Sequence, residues 1–330
     1  MAEKKQTLPR VLVVGPPTCF ATLQPLYSHK FHFIHFEPYA LSLSLQNFLH
    51  HHCPFSIPAI LCSSNYSLSA HLLRLLPDLR LVVTTSAGTD HIDLRECRRR
   101  GIQVAAAGHL FSQDVADMAV ALLIDVMRKI SAADRCLRTH NLNNTPWDLF
   151  TFGSKLSGKR IGIIGLGSVG MEVAKRLGSF GCIILYNSKH KKATVSYPFY
   201  SSVVELATNC DALVVCCALN EQTKHIINRE VILALGKGRF IVNVGRGGLI
   251  DEKQLVKCLR EGEIGGAALD VFENEPYVPE ELRAMNNVVL SPHCAAFTAE
   301  SLMNLCELVA GNLEAFFLNK PLITPVMLPE

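Results

Sequence analysis

Lys159-Arg-Ile-Gly-Ile-Ile-Gly165-Leu-Gly167-Ser-Val-Gly170-Met-Glu-Val-Ala-Lys-Arg-Leu177 passes from an apolar strand through a G-x-G-x-x-G turn into a helix without interruption. That order is what a dinucleotide requires. Gly165 allows the tight turn, Gly167 lets backbone approach a pyrophosphate, and Gly170 lets helix and strand pack closely. The amides of Ser168 and Val169 then lie in the first turn of the helix, whose free N–H groups and positive dipole end favour phosphate. A nicotinamide or flavin cofactor is the first expectation.

Working outward, strands and helices alternate in two blocks, the pattern of doubly wound α/β domains. The first block reads as short buried strands at 11–14, 32–36, 59–62, 81–84 and 102–105, with helical stretches such as 69–76 between them. The second reads as strands at 160–164, 183–186, 212–216, 240–244, 266–269 and 288–290, enough for a complete dinucleotide domain. Between them, residues 112–138 predict one long helix, apolar nearly all round and so expected at a domain or subunit interface. It is followed by the polar link Asn141 to Pro146. A last helix, 300–317, is expected to return to the first block, which is one closing element short. The predicted architecture is α/β, with two doubly wound parallel-sheet domains, Rossmann-like and flavodoxin-like, and an active site in the cleft between them. Residues 1–108 with 299–330 form the substrate-binding domain, and residues 109–298 form the dinucleotide-binding domain.

Composition narrows the partners. Thirty-two basic against 29 acidic side chains give a net charge of +3, without the basic excess of a nucleic-acid binder. The apolar run 118–124 is too short to span a bilayer, and the charged N-terminus runs directly into the first strand, so neither membrane nor signal region is predicted. The chain ends Met327-Leu-Pro-Glu330 rather than in a peroxisomal tripeptide, and a cytoplasmic location is expected. The twelve cysteines show no CxxC pair and read as small apolar residues in a reducing compartment. His32 and His35 alternate across a strand and His50-His-His52 sits in a polar connection, so no metal site is expected.

Cofactor choice is decided at the end of the second strand of the dinucleotide block. Enzymes for NAD place an acid there to bind the ribose 2′-hydroxyl. Here Tyr186 runs into Asn187-Ser-Lys-His-Lys-Lys192, with no acid. Ser188 can donate a hydrogen bond, and Lys189 can pair with a 2′-phosphate, so NADP(H) is predicted. Three more residues sit just past strand ends, where doubly wound sheets keep their ligands: Arg246, Glu275 and His293. Together they make a cationic anchor, a carboxylate and a proton donor. An imidazolium can supply a proton near neutral pH, and a neighbouring carboxylate orients the ring and stabilises its charged form. Arginine offers a planar fork that matches a carboxylate bidentately.

Five stretches carry a resemblance: Ser86-Ala-Gly-Thr-Asp-His-Ile-Asp93, the Gly165 to Gly170 loop, Asn243-Val-Gly-Arg-Gly-Gly248, Ala268-Leu-Asp-Val-Phe-Glu-Asn-Glu-Pro276 and Ser291-Pro-His293. With them the sequence resembles the D-isomer-specific 2-hydroxyacid dehydrogenases, and among these the plant-type glyoxylate/hydroxypyruvate and hydroxyphenylpyruvate reductases. The resemblance implies an NADPH-dependent reductase of 2-oxo acids. It implies that Arg246 binds the substrate carboxylate and polarises its carbonyl, that His293 donates the proton, and that Glu275 pairs with the imidazole. The backbone amides of Ala87 and Gly88 would hold the carboxylate. Val244, Asp270, His293 and Ala295 would lie along the nicotinamide side of the cofactor, with His190 beside Ser188 and Lys189 at its other end. The partners implied are a small 2-oxo acid and a second copy of the chain in a homodimer. Cys294-Ala-Ala296 and the segment Trp147 to Phe152 depart from the pattern, and Trp147 reads either as shaping the substrate pocket or as an interface aromatic. Two other readings share these motifs: a non-catalytic dinucleotide-binding corepressor, and an NAD-dependent phosphoglycerate or formate dehydrogenase.

Overall fold

Runs of apolar, largely β-branched side chains become central strands buried on both faces, as parallel sheets require, while the edge strand His32–Phe36, expected to be buried, buries only Phe36. The computed structural model describes residues 8–15, 17–36, 47–49, 56–139 and 152–329. The histidines at 50–52, the link at 141–146 and Trp147 lie outside the described residues. The chain divides into two units, Met1–Phe111 with Thr298–Glu330, and Ser112–Phe297.

The first unit carries β1 (Arg10–Val14), β2 (His32–Phe36), β3 (Ala59–Cys62), β4 (Leu81–Thr84) and β5 (Gln103–Ala105), all parallel in the order β2-β1-β3-β4-β5. Alternation along the strands builds two cores. Val11, Val13, Leu81 and Val83 pack on one face with Phe20 and Leu23 of α1 (Phe20–Tyr27). Leu12, Val14, Ile60 and Val82 pack on the other with Leu68, Leu73 and Leu76. On that second face lie α2 (Ala70–Arg74) and α3 (Leu94–Arg99), capped by Ser69 and Asp93, whose side chains accept the amides of Leu72 and Glu96. The C-terminal segment Ala299–Phe317 forms a helix that belongs to this unit and places Leu305, Val309, Ala310 and Leu313 in the first core. Asn312 fastens the tail beyond this helix: its Oδ1 accepts the amides of Ile323 and Thr324, and the chain runs on to Val326, which donates to the Val104 carbonyl.

The second unit opens with two helices where one was predicted. α4 (Ser112–Arg128) and α5 (Ile130–Thr139) are separated by Lys129, whose φ of +59° ends the first helix. Asp125 explains the break: its carboxylate accepts both the backbone N–H (2.8 Å) and the hydroxyl of Ser131, satisfying the start of a new helix. Burial divides at the same point. α4 sends Ala116, Ala119, Leu123 and Val126 into the core, whereas α5 leaves Ile130 and Leu137 exposed. The apolar-all-round expectation fails for both: α4 buries one side but exposes Gln113, Asp117, Ala121 and Arg128 on the other.

Six parallel strands come next: β6 (Arg160–Ile164), β7 (Ile183–Asn187), β8 (Ala212–Val215), β9 (Phe240–Asn243), β10 (Gly266–Leu269) and β11 (Val288–Leu290). Their order is β11-β10-β9-β8-β6-β7. The chain leaves β6 to one side for β7 and then crosses to β8 on the other, so the switch point, where such sheets bind ligands, falls between β6 and β8. Both faces are covered. α4 and α6 (Ser168–Ser179) pack on Ile161, Ile163, Val214 and Val242. On the opposite face, α7 (Val203–Thr208), α8 (Arg229–Leu235) and α9 (Glu252–Arg260) pack on Leu213, Val215, Ile241 and Leu269. No helix among the described residues is long and apolar enough to cross a membrane.

At Gly170, a Cβ would fall 2.2 Å from the Gly165 carbonyl oxygen, a backbone atom that cannot swing aside. Gly170→Ala is expected to cost about 1–3 kcal/mol, the usual size of core overpacking, read as a lower denaturant midpoint. An unchanged midpoint would show that α6 does not press on the turn.

Candidate active site

All the strands of the second unit point the same way, so their C-terminal ends share one edge and every candidate side chain emerges there. After β6, Gly165 turns at φ +92°, and a Cβ on it would stand 2.5 Å from Cys217 Cα, in the chain leaving β8. Gly167 is exposed, and the space where a Cβ would stand has nothing within 4 Å. It begins α6 without any side-chain cap. Close-packed glycine behind, open space in front and first-turn amides of Ser168 and Val169 together fit a diphosphate.

After β7, the buried Asn187 turns its amide inward, Nδ2 donating to the carbonyls of Tyr200 (2.9 Å) and Ser201 (3.1 Å). The phenolic oxygen of fully buried Tyr186 accepts the Lys192 N–H at 2.8 Å and folds the loop back. Ser188 gives its hydroxyl hydrogen to the His190 carbonyl at 2.6 Å, which replaces the expectation that it donates outward. Lys189 and His190 are left exposed at the tip. A loop with two exposed basic side chains and no acid fits a 2′-phosphate better than a bare ribose.

After β9, Asn243 shapes the next turn. It is 1% exposed; its Oδ1 accepts the Gly245 N–H at 3.0 Å and its Nδ2 donates to the Arg246 carbonyl at 2.9 Å. Half-buried Arg246 donates from Nη1 to the Gly245 carbonyl at 2.9 Å. Val244, just before it, is buried.

After β10 and β11 come the acid and the imidazole. His293 Nδ1 donates to Glu275 Oε2 at 2.7 Å, and Glu275 Oε1 accepts the Phe272 N–H at 3.0 Å. The pair is 35% and 39% exposed, open enough to meet a small molecule. Partial burial pushes the Glu275 carboxyl up, but the hydrogen bonds from His293 and the Phe272 amide, with the charges of His293 and Arg246, outweigh it and hold the group below its ordinary value. Arg246 and His293 therefore both act on Glu275.

Asp270 is 1% exposed and committed. Its Oδ1 accepts the Cys294 N–H (3.0 Å), its Oδ2 the Ala295 N–H (3.1 Å), and its carbonyl the His293 N–H (2.7 Å). His293 has a φ of +53°, uncommon for a side chain of its kind, and these three bonds hold it there. The expectation of a cofactor-lining Asp270 misses this clamp; the Asp at a strand end was visible in sequence, its two amide partners were not. The Ser291 Oγ and Cys294 Sγ lie 3.2 Å apart in the same turn. In the first unit, Ala87 and Gly88 occupy the loop directly after β4, Ala87 exposed and Gly88 half-buried. No group of three or more His, Cys, Asp or Glu among the described residues could hold a metal.

The family model for the D-isomer specific 2-hydroxyacid dehydrogenase, NAD binding domain, matches residues 120–295. The chain is 49% identical over 328 residues to the Arabidopsis thaliana glyoxylate/hydroxypyruvate reductase HPR3, covering 99% of this chain and 100% of that one. It is 47% identical over 274 residues to the Plectranthus scutellarioides hydroxyphenylpyruvate reductase, covering 82% and 86%. Among solved structures, the NADPH-dependent glyoxylate/hydroxypyruvate reductase from Sinorhizobium meliloti, in complex with NADP and malonate, superposes with a TM-score of 0.85 at 30% identity over 97% of each chain.

A carboxyl held below its unfolded value, here 4.5, stabilises the fold at and above that pH, and the contribution disappears as the pH falls through the lowered folded value. In Glu275→Gln, the deficit in denaturant midpoint relative to wild type should be full above about pH 4.5 and close on further acidification. A deficit that stays constant into acid would mean that the charged pair does not contribute.

Proposed function

The chain belongs to the D-isomer-specific 2-hydroxyacid dehydrogenase family, and on that premise we propose that it is an NADPH-dependent reductase of 2-oxo acids to D-2-hydroxy acids. Hydroxypyruvate and glyoxylate are its proposed substrates, with 4-hydroxyphenylpyruvate as the larger candidate, after the names of its relatives. The observation that carries this reading is the His293–Glu275 hydrogen bond under the influence of Arg246. Corepressor and phosphoglycerate or formate dehydrogenase readings are not favoured, since the most similar relatives bear reductase names and the loop after Tyr186 lacks an acid.

The nicotinamide, when bound, supplies a hydride to C2 of the oxo acid. Val244 and Ala295 are assigned to its surroundings, Gly165, Gly167, Ser168, Val169 and Gly170 to the diphosphate, and Lys189 and His190 to the 2′-phosphate. Arg246 binds the substrate carboxylate through its guanidinium and stabilises negative charge developing on the carbonyl oxygen. With Nδ1 donating to Glu275, His293 has Nε2 to give its proton to that oxygen, and Glu275 balances the charge of the imidazolium and fixes the ring. The amides of Ala87 and Gly88 add hydrogen bonds to the carboxylate. With the boundaries moved to those of the two units, Ser112–Phe297 serves as the dinucleotide domain, and Met1–Phe111 with Thr298–Glu330 as the substrate domain. A cytoplasmic homodimer is the proposed state; the exposed Ile130 and Leu137 of α5 are apolar side chains that a second copy can cover.

Following NADPH oxidation with these three oxo acids tests the assignment. At least one should be turned over, and His293→Gln should bind NADPH normally while losing ~10²-fold or more in kcat, the size of a lost general acid. No turnover on any of them, or a near-normal rate in the variant, overturns it. The cofactor choice has its own test. Lys189→Asp should lower the NADPH-to-NADH ratio of kcat/KM by ~10-fold or more, as loss of a charge-assisted bond predicts. An unaltered ratio would separate this loop from the 2′-phosphate.

A further inference from the structure

The turn that carries Glu275 is held from outside the catalytic group. Glu273, two residues earlier, is fastened twice. Its backbone N–H donates to Oε2 of Glu252 at 3.2 Å, and its Oε1 accepts a hydrogen bond from His225 Nε2 at 2.7 Å. Glu252 is buried at the start of α9, where burial, with the neighbouring Glu273 carboxylate adding to it, pushes its carboxyl up against the opposing effect of the amide bond. His225 reaches its position through a left-handed backbone, φ +52°, and its own N–H donates to the carbonyl of Gly248 at 2.8 Å.

Gly248 belongs to the same turn as Arg246. His225 therefore ties by its backbone to the loop that carries the arginine, and by its side chain to the loop that carries the glutamate. Between these attachments the two loops touch directly. A Cβ on Gly247 would lie 1.8 Å from the carbonyl carbon and oxygen of Phe272 and 2.4 Å from the Glu273 nitrogen, so backbone rests on backbone with no side chain between. The N–H of the same Phe272 is the group that Glu275 Oε1 accepts. A shift at Glu273 is thus transmitted to Glu275 within one turn.

We propose that His225 and Glu252 are positioning residues for the catalytic pair: by gripping Glu273 they lock the Glu275 turn against the Arg246 loop, and so set the carboxylate that orients His293. This inference rests on the reading of Glu275 and His293 as the proton-donating pair.

The test is a double-mutant cycle in the full-length protein with NADPH and the best oxo acid. His225→Leu should lower kcat about 5- to 20-fold with KM and NADPH affinity little changed, because substrate and cofactor still meet their own ligands. His225→Gln keeps an N–H of similar reach and should recover most of that loss. Glu252→Gln retains an oxygen to accept the Glu273 amide and should also stay near wild type, whereas Glu252→Leu should fall with His225→Leu. The decisive arm adds His225→Leu to Glu275→Gln. If His225 acts through Glu275, the second change costs almost nothing further, whereas independent effects multiply. Multiplying effects, a raised KM in place of a lowered kcat, or a Gln variant as slow as Leu would overturn the positioning role while leaving the site assignment standing. A Glu275→Gln protein as fast as wild type would instead remove the catalytic pair itself, and this inference with it. Should His225→Leu fail to fold, the Gln variant and the Glu252 pair carry the same comparison.

Discussion

Parallel strand direction is the constraint from which this site arises. The central strands of the second unit are too apolar to face water, so they are paired on the sheet and covered by helices, and all six strands end at the same edge. Residues far apart in the chain, Gly165, Arg246, Glu275 and His293, are brought there by that geometry alone. Chemistry is then a matter of which side chain comes after which strand. The switch between β6 and β8 opens the edge at the point where a helix N-terminus has no side-chain cap, and a phosphate has a place before any residue recognises it specifically.

Charge organisation refines what topology begins. Glu275 is useful to an imidazole only while ionised, and partial burial works against that. Two donated hydrogen bonds, from His293 and the Phe272 amide, and the nearby Arg246 guanidinium outweigh it, holding the carboxyl below its ordinary value. Asp270 solves a different problem in the next layer. It is deeply buried, but both its oxygens and its carbonyl meet backbone amides, so it serves as a template for the left-handed turn at His293. One acid orients the ring and the other places the backbone that carries it.

Much of this was legible in the sequence because it is written in local signals. Strand runs such as Val11–Val14 and Ile161–Ile164 are apolar without interruption, and the G-x-G-x-x-G turn, the Arg246 loop and His293 each come directly after one such strand. The features that escaped reading depend on side chains meeting across the fold. Nothing around Lys129 announces a helix end, since neither Gly nor Pro stands there; the break comes from Asp125 capturing Ser131. Asp270 reads as a ligand from its place at a strand end, and only the return of the chain after β11 supplies the amides that occupy it. His225, Glu252 and Glu273 belong to three separate segments, and although Glu273 lies in the stretch Ala268 to Pro276, nothing in the sequence pairs it with the other two.

The backbone contacts explain why so much rests on glycine here. At Gly165 against Cys217, at Gly170 against Gly165 and at Gly247 against Phe272, main chain touches main chain where a methyl group would not fit. Side-chain packing leaves rotamers free to readjust, but two touching backbones have no such freedom. The spacing between the Arg246 loop and the Glu275 turn is therefore set by main-chain contact, and the side chains that do the chemistry inherit it. In the proposed reaction, an arginine meeting a carboxylate bidentately and a histidine reaching the neighbouring carbonyl oxygen would tolerate little drift. Building their separation from glycine contacts, rather than from longer side chains, places that tolerance in the stiffest part of the fold.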